Sequence, residues 1–313
     1  MWKLIAVAIA LVPLNSGGQT TPPWSKGLND PAADRGYVFH VDDIDNVPDL
    51  HGNPQDARLV LFIGGNQFFV LPRLLAGFEK QNPDLAGHIF YETLPPGILR
   101  KQMAQGNTLT LGNLTIRVAP DVYEAGARVL DEMQKQGEVD HVLRYATNNL
   151  EIMIPAGNPK AIKTLKDLGS PALRLSMPNP ETEGVAKQVS DSLKKAGGDQ
   201  LVHAVYEQKV HSGSTYLTQI HHRQTPMRIL QHKSDAGVVW TSEVRFQQKI
   251  GNPIAGVVIP DEQNTTAIYA AGETANAPHR AAALAWLAYL QSDEAKAAYA
   301  EFGFQPYTAS SAH

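Results

Sequence analysis

Along the chain, short unbroken apolar runs alternate with stretches in which apolar residues recur every three or four positions. The first such pair spans residues 59–83, LVLFIGGNQFFVLPRLLAGFEKQNP. Residues 59–63 are wholly apolar and end in turn residues, which predicts a buried strand. Gly64-Gly65-Asn66-Gln67 breaks the run. Phe69, Leu71, Leu74, Leu75 and Phe78 then share one helical face, and Asn82-Pro83 stops the helix.

The alternation continues to the C-terminus. A strand is expected over 88–91, then a Pro-rich loop, then a helix over 98–106. Residues 108–119 alternate polar and apolar, as strands and hairpins do. Pro120-Asp121 reads as the start of a helix carrying Val122, Ala125, Val129 and Met133, with Asp121 as its cap. Residues 142–154 read as a long strand interrupted at 147–149. A helical turn over 164–168, a strand over 173–177, a helix over 185–195 and a strand over 202–207 follow. Residues 215–233 read as one helix, which Pro226 either kinks or opens. Strands over 235–240, 253–260 and 265–271, then helices over 278–290 and 292–302, complete the pattern. Alternating strands and helices define an α/β class. In such folds ligands sit at the carboxyl ends of strands, where backbone N–H groups open the next helix. Gly64 to Gln67 occupies such a place.

Length and composition narrow the picture. The chain has 313 residues, enough for two domains with their own cores. A formal net charge of −4 offers no electrostatic footprint for nucleic acid. There is no cysteine, which excludes disulfides, thiolate metal sites, a cysteine nucleophile and an acylated anchor. Residues 1–18 carry Lys3, an apolar core over 4–14 and the small residues Ser16, Gly17 and Gly18, the pattern of a secretory signal peptide. The apolar core is shorter than the about 20 residues a bilayer span needs. The mature protein is therefore expected to be exported, soluble and periplasmic.

Residues 19–57 read as an irregular N-terminal extension with one short strand over 37–41. Within it Asp42, Asp43, Asp45 and Asp49 lie between His40 and His51. Carboxylates and imidazoles can ligate metal, but the spacing is not that of a calcium loop, and a solvated acidic loop is the simpler reading.

Four segments carry a resemblance: ATNNLEIMIPAGNPKAIKTLKDL (146–168), MPNPETEGVAKQ (177–188), DAGVVWTSE (235–243) and SDEAKAAYAEFGF (292–304). Together they resemble the periplasmic type II solute-binding proteins of ABC transporters, most nearly the molybdate-binding branch, over roughly 58–307. The resemblance implies two α/β lobes joined by crossovers near 145–149 and 251–257, with a ligand cleft between. Lobe 1 would comprise 58–146 and 256–313, and lobe 2 147–255. It also implies a monomer without a cofactor that closes on a small ligand and delivers it to an ABC permease, with no chemical step.

Carried over by position, the resemblance places the ligand loops on Gly64, Gly65, Asn66 and Gln67; on Glu92 and Thr93; on Glu183, Gly184 and Val185; on His221 and His222; and on Trp240. Molybdate-type sites hold a dianion with hydroxyls and backbone N–H groups. Here hydroxyls are depleted and Glu92 stands in an expected ligand loop. That leaves three readings open: an oxyanion, a metal ion or metal complex, and a small polar organic ligand in transport or sensing. Signatures of enzymes are missing: no G-x-S-x-G, H-E-x-x-H, P-loop or G-x-G-x-x-G occurs. Only the His221-His222 pair with Glu92 offers an acid–base combination.

Overall fold

The computed structural model describes residues 36–37, 49–111, 114–219 and 221–308. The expected signal peptide, His40 and most of the acidic run lie outside them.

Two short strands, β1 (Gly36–Tyr37) and β2 (Leu50–His51), precede β3 (Leu59–Ile63), which passes through a 3₁₀ turn into α1 (Leu71–Gln81). Next come β4 (Ile89–Glu92), α2 (Pro96–Ala104), the hairpin β5 (Thr108–Leu111) and β6 (Leu114–Arg117), β7 (Val122–Gly126), α3 (Ala127–Lys135) and β8 (Val139–Asn148). The chain then builds β9 (Leu150–Pro155), β10 (Leu175–Met177), α4 (Val185–His203), α5 (Lys209–His211), β11 (Thr215–Leu217), α6 (Gln224–Leu230), β12 (Gly237–Trp240), α7 (Thr241–Lys249) and β13 (Ile254–Val258). It returns as β14 (Ala267–Thr274), α8 (Arg280–Leu290), α9 (Asp293–Glu301) and β15 (Gln305–Pro306).

These elements form two lobes. The first is an eight-stranded mixed sheet, ordered β1-β2-β4-β3-β7-β14-β8-β15. Strand β3 is its parallel centre, paired with β4 and β7. Because side chains alternate along a strand, Leu59, Leu61 and Ile63 enter one core, and Val60 and Phe62 the other. The first core holds the apolar faces of α1, α8 and α9; Leu71, Leu74 and Phe78 are fully buried there. Each such side chain stabilises the lobe by roughly 1.5–3 kcal/mol. In the second lobe β9 lies between β12 and β13, and β10–β11 joins β12 through a bridge from Leu175 to Ala236. Strand β8 runs through Asn149 into β9, which is one crossover. Strand β13 pairs with β9 over its whole length. The second sheet thus extends past the boundary at 255–256 expected from the sequence, and the return falls after Val258.

Three local expectations are corrected. Residues 122–126 form β7, and the helix starts only at Ala127. Asp121 does not cap it: its carboxylate accepts the backbone N–H of Val60 at 2.8 Å and of His279 at 2.6 Å. The expected strand over 202–207 continues α4 and a π-helical turn, because Leu201 and Val205, four apart, both enter the second lobe's core. The expected single helix over 215–233 divides: Thr215–Leu217 pairs in parallel with Leu175–Met177, and only Gln224–Leu230 is helical, with Pro226 in its first turn.

Candidate functional site

A cleft of about 830 Å³ lies between the lobes. One wall carries Gly64, Gly65, Asn66 and Gln67, at the carboxyl end of β3. The opposite wall carries Glu183, Gly184 and Val185, where α4 begins. His221, His222 and Trp240 also line it, so three separate segments of lobe 2 meet there. Sequence reasoning missed the start of α3, Gly126 to Val129, and Tyr269 of β14, which line it too. The openings of α3 and α4 lie at the positive ends of the helix dipoles, although in α4 the N–H groups of Ala186 and Lys187 already donate to the carbonyls of Glu183 at 3.1 Å and Gly184 at 3.3 Å.

Glu92 and Thr93 do not line the cleft. Glu92 is fully buried in lobe 1 and accepts a hydrogen bond from Gln102 Nε2 at 3.0 Å. Burial, only partly offset by that bond, pushes its carboxyl up to about 8. Glu92 is thus neutral near pH 7, and the charge conflict with an anionic ligand disappears.

Other polar groups of the inner cleft are engaged. Glu183 accepts from Thr218 Oγ1, from the backbone N–H of Asn179 at 3.1 Å and from that of His222 at 2.5 Å. His222 Nδ1 is 2.8 Å from Glu183 Oε2, and Nε2 is 2.9 Å from Glu243 Oε1. Burial opposes charge on this imidazole, but the two carboxylates outweigh it and raise His222 to about 10. Burial likewise penalises the Glu183 anion, yet His222 and the hydrogen bonds hold its pKa below the ordinary value. His222 is therefore an imidazolium between two carboxylates.

On the facing wall, Asn66 Nδ2 donates to Tyr269 Oη at 2.5 Å. Gln67 Oε1 accepts from the hydroxyls of Tyr299 at 2.8 Å and Tyr145 at 3.0 Å. Beneath it Trp286 Nε1 donates to Glu124 at 2.7 Å, and burial pushes Glu124 up to about 7. These contacts clamp the Gln67 carbonyl, and its Nε2 is left buried without a protein partner beneath the cleft wall. Neither Asn66 nor Gln67 caps a helix through its side chain.

The acidic extension also differs from expectation. Asp49 is buried and His51 stacks on Tyr91 with ring centroids 4.3 Å apart. Asp49 Oδ1 lies 2.5 Å from Arg223 Nη2 and 3.1 Å from His221 Nε2. Burial would raise the Asp49 pKa, but His221 and Arg223 more than offset it. The solvated-loop reading therefore fails for this residue, and Arg223 pairs with Asp49. Among the described residues no group of three or more His, Cys, Asp or Glu side chains is arranged to hold a metal ion.

Two α/β lobes around an interlobe cleft define a solute-binding protein of the type II architecture. The family model "Bacterial extracellular solute-binding protein" matches residues 59–305, and the chain belongs to that family. Among solved structures, the sulfate-binding protein SubI from Mycobacterium tuberculosis H37Rv is 18% identical with a TM-score of 0.64, covering 80% of this chain and 87% of its own. The periplasmic molybdate-binding protein of Azotobacter vinelandii is 15% identical with a TM-score of 0.63, covering 80% of this chain and 100% of its own. Peb3 from Campylobacter jejuni is 14% identical with a TM-score of 0.59, covering 80% and 100%; PEB3 is also known with L-phospholactate bound. At these identities the likeness concerns the fold. No curated protein sequence matched the chain.

Proposed function

We propose that this protein works outside the cytoplasm, captures a small anion in the interlobe cleft and delivers it to an ABC permease, without chemical change to the ligand. The observation that carries this reading is the electrostatic character of the cleft. Two helices, α3 and α4, open onto it with the positive ends of their dipoles, while Glu183 is engaged by His222, Thr218 and backbone N–H groups. Such a wall favours a ligand that accepts hydrogen bonds and carries negative charge. Sulfate, molybdate and L-phospholactate, named for the neighbouring structures, are all anions. A cleft of about 830 Å³ has room for a compact organic acid as well as an oxyanion. Among the described residues no helix is long and apolar enough to cross a membrane.

The test is a thermal-shift screen of molybdate, tungstate, sulfate, phosphate, small organic acids and divalent cations, followed by calorimetry on any hit. The expected result is stabilisation by at least one anion. At a concentration of 100 Kd this amounts to about 2.7 kcal/mol. Stabilisation by divalent cations alone, or turnover of the bound ligand, would overturn the proposal.

A further inference from the structure

The geometry points to Asp49, which precedes the family-matched region, as a positioning residue that straps the two lobes together and presets the closed cleft before any ligand arrives. Asp49 stands next to β2, the strand that pairs antiparallel with β4 at the side of the first sheet. Leu50 anchors this segment in the lobe 1 core, and the backbone N–H of Thr93 donates to the Asp49 carbonyl at 2.9 Å. The carboxylate is thus fixed to lobe 1 by backbone and by burial.

Its partners belong to lobe 2. His221 and Arg223 immediately precede α6, whose packing is against β9 and β10 of the second sheet. Arg223 reaches further across the cleft: Nη1 donates to the Gly65 carbonyl at 3.3 Å, and the guanidinium lies 5.0 Å from the centre of the Phe68 ring. The His221 ring packs on Gly65 so closely that a Cβ there would sit 2.9 Å from its Cε1 and Nδ1. One carboxylate of lobe 1 therefore holds two side chains of lobe 2 against the turn that opens the ligand wall.

Burial decides how the contact behaves. The side chains of Arg223 and His221 are 2% and 3% exposed, and that of Asp49 is 11% exposed. Opening the lobes would break this buried pair together with the Arg223 bond to the Gly65 carbonyl and the packing of His221 on Gly65, and replacing Asp49 alone would leave the Arg223 charge buried and uncompensated in the closed form. His221 lines the cleft, so the strap also fixes the orientation of a wall residue. Glu92, whose carboxyl interacts with that of Asp49, is the neutral buried acid described above.

The natural chain has no cysteine, so paired spin labels can be placed without background. Gln134→Cys on α3 and Lys194→Cys on α4 put one exposed label on each lobe. Double electron–electron resonance on the unliganded full-length protein reads the lobe separation directly. The expected result is a short, narrow distribution for the parent, and a shift of more than about 2 Å to longer distance in Asp49→Asn. Arg223→Met should shift it similarly, and Asp49→Asn with Arg223→Met no further than either alone. That double variant leaves no orphaned charge, so it remains informative if a single variant folds poorly. A parent distribution as long as those of the variants, or variants unchanged from the parent, would overturn the assignment. No ligand enters the experiment, so its outcome is independent of the anion reading.

Discussion

At the scale of single residues, the carboxyl groups separate by environment. Glu92 sits in an expected ligand loop, yet lies buried behind the wall with one amide partner. Its folded pKa, about 8, is above the ordinary 4.5, so the fold favours the protonated form. Stability is therefore lost progressively as pH rises from about 4.5 to about 8, and the penalty is constant above that. Glu92→Gln keeps an acceptor for Gln102 and removes the ionisation. It should match the parent in thermal stability at the acid end of this window, exceed it at the alkaline end, and leave anion affinity unchanged. Melting curves across the window and calorimetric titration check both parts. A marked loss of affinity in this variant would return Glu92 to the binding wall. His222 shows the opposite arrangement, an imidazolium kept charged by Glu183 and Glu243. Identical residue types thus behave differently because burial and partners, set by distant segments, decide their charge.

At the scale of elements, the strand–turn–helix over 59–83 was legible because its apolar pattern is both local and strong. The turn within it needs glycine for a tertiary reason. A Cβ on Gly65 would lie 2.6 Å from the Thr93 carbonyl oxygen and 2.9 Å from the His221 ring. Gly65→Ala should overpack this contact at a cost of about 1–3 kcal/mol and so weaken anion binding by about 5- to 150-fold. Calorimetry with the stabilising anion, alongside circular dichroism to confirm folding, measures it; unchanged affinity would show that the lobes need not approach here. Some short elements of both lobes were harder to read. Thr215–Leu217 is a strand only because Leu175–Met177 lies beside it, and Val122–Gly126 only because β3 and β14 flank it. Short apolar segments of this kind carry too little periodicity to reveal their state without neighbours.

At the scale of the whole molecule, separate cores give each lobe its own stability and leave the cleft between them. An aromatic contact bridges the lobes as well: Phe246 of α7 stacks on Phe69 at 5.0 Å and meets Phe68 edge-on at 5.2 Å. The N-terminal segment lies outside the matched family region yet contributes buried Leu50 and Asp49. Removing residues 1–57 should leave a cooperatively folding protein, less stable by at least about 1.5–3 kcal/mol for the loss of Leu50 burial. Urea denaturation of the truncated chain provides the measurement. Loss of cooperative unfolding would show that the segment is integral to the first lobe.

The sequence alone determined the α/β class and the two-lobe plan, and its expected ligand residues Gly64 to Gln67, Glu183 to Val185, His221, His222 and Trp240 fall in the lining of the cleft, where their role in binding is a proposal. It could do so because strand periodicity, turn chemistry and family-like segments are local properties of the chain. Tertiary structure alone decided the rest. It turned Glu92 away from the cleft, placed His222 between Glu183 and Glu243, left Gln67 Nε2 free, and brought Asp49 to Arg223 across 174 residues. The physical reason is that desolvation and ion pairing depend on which distant side chains share a buried space, and one-dimensional spacing does not record that.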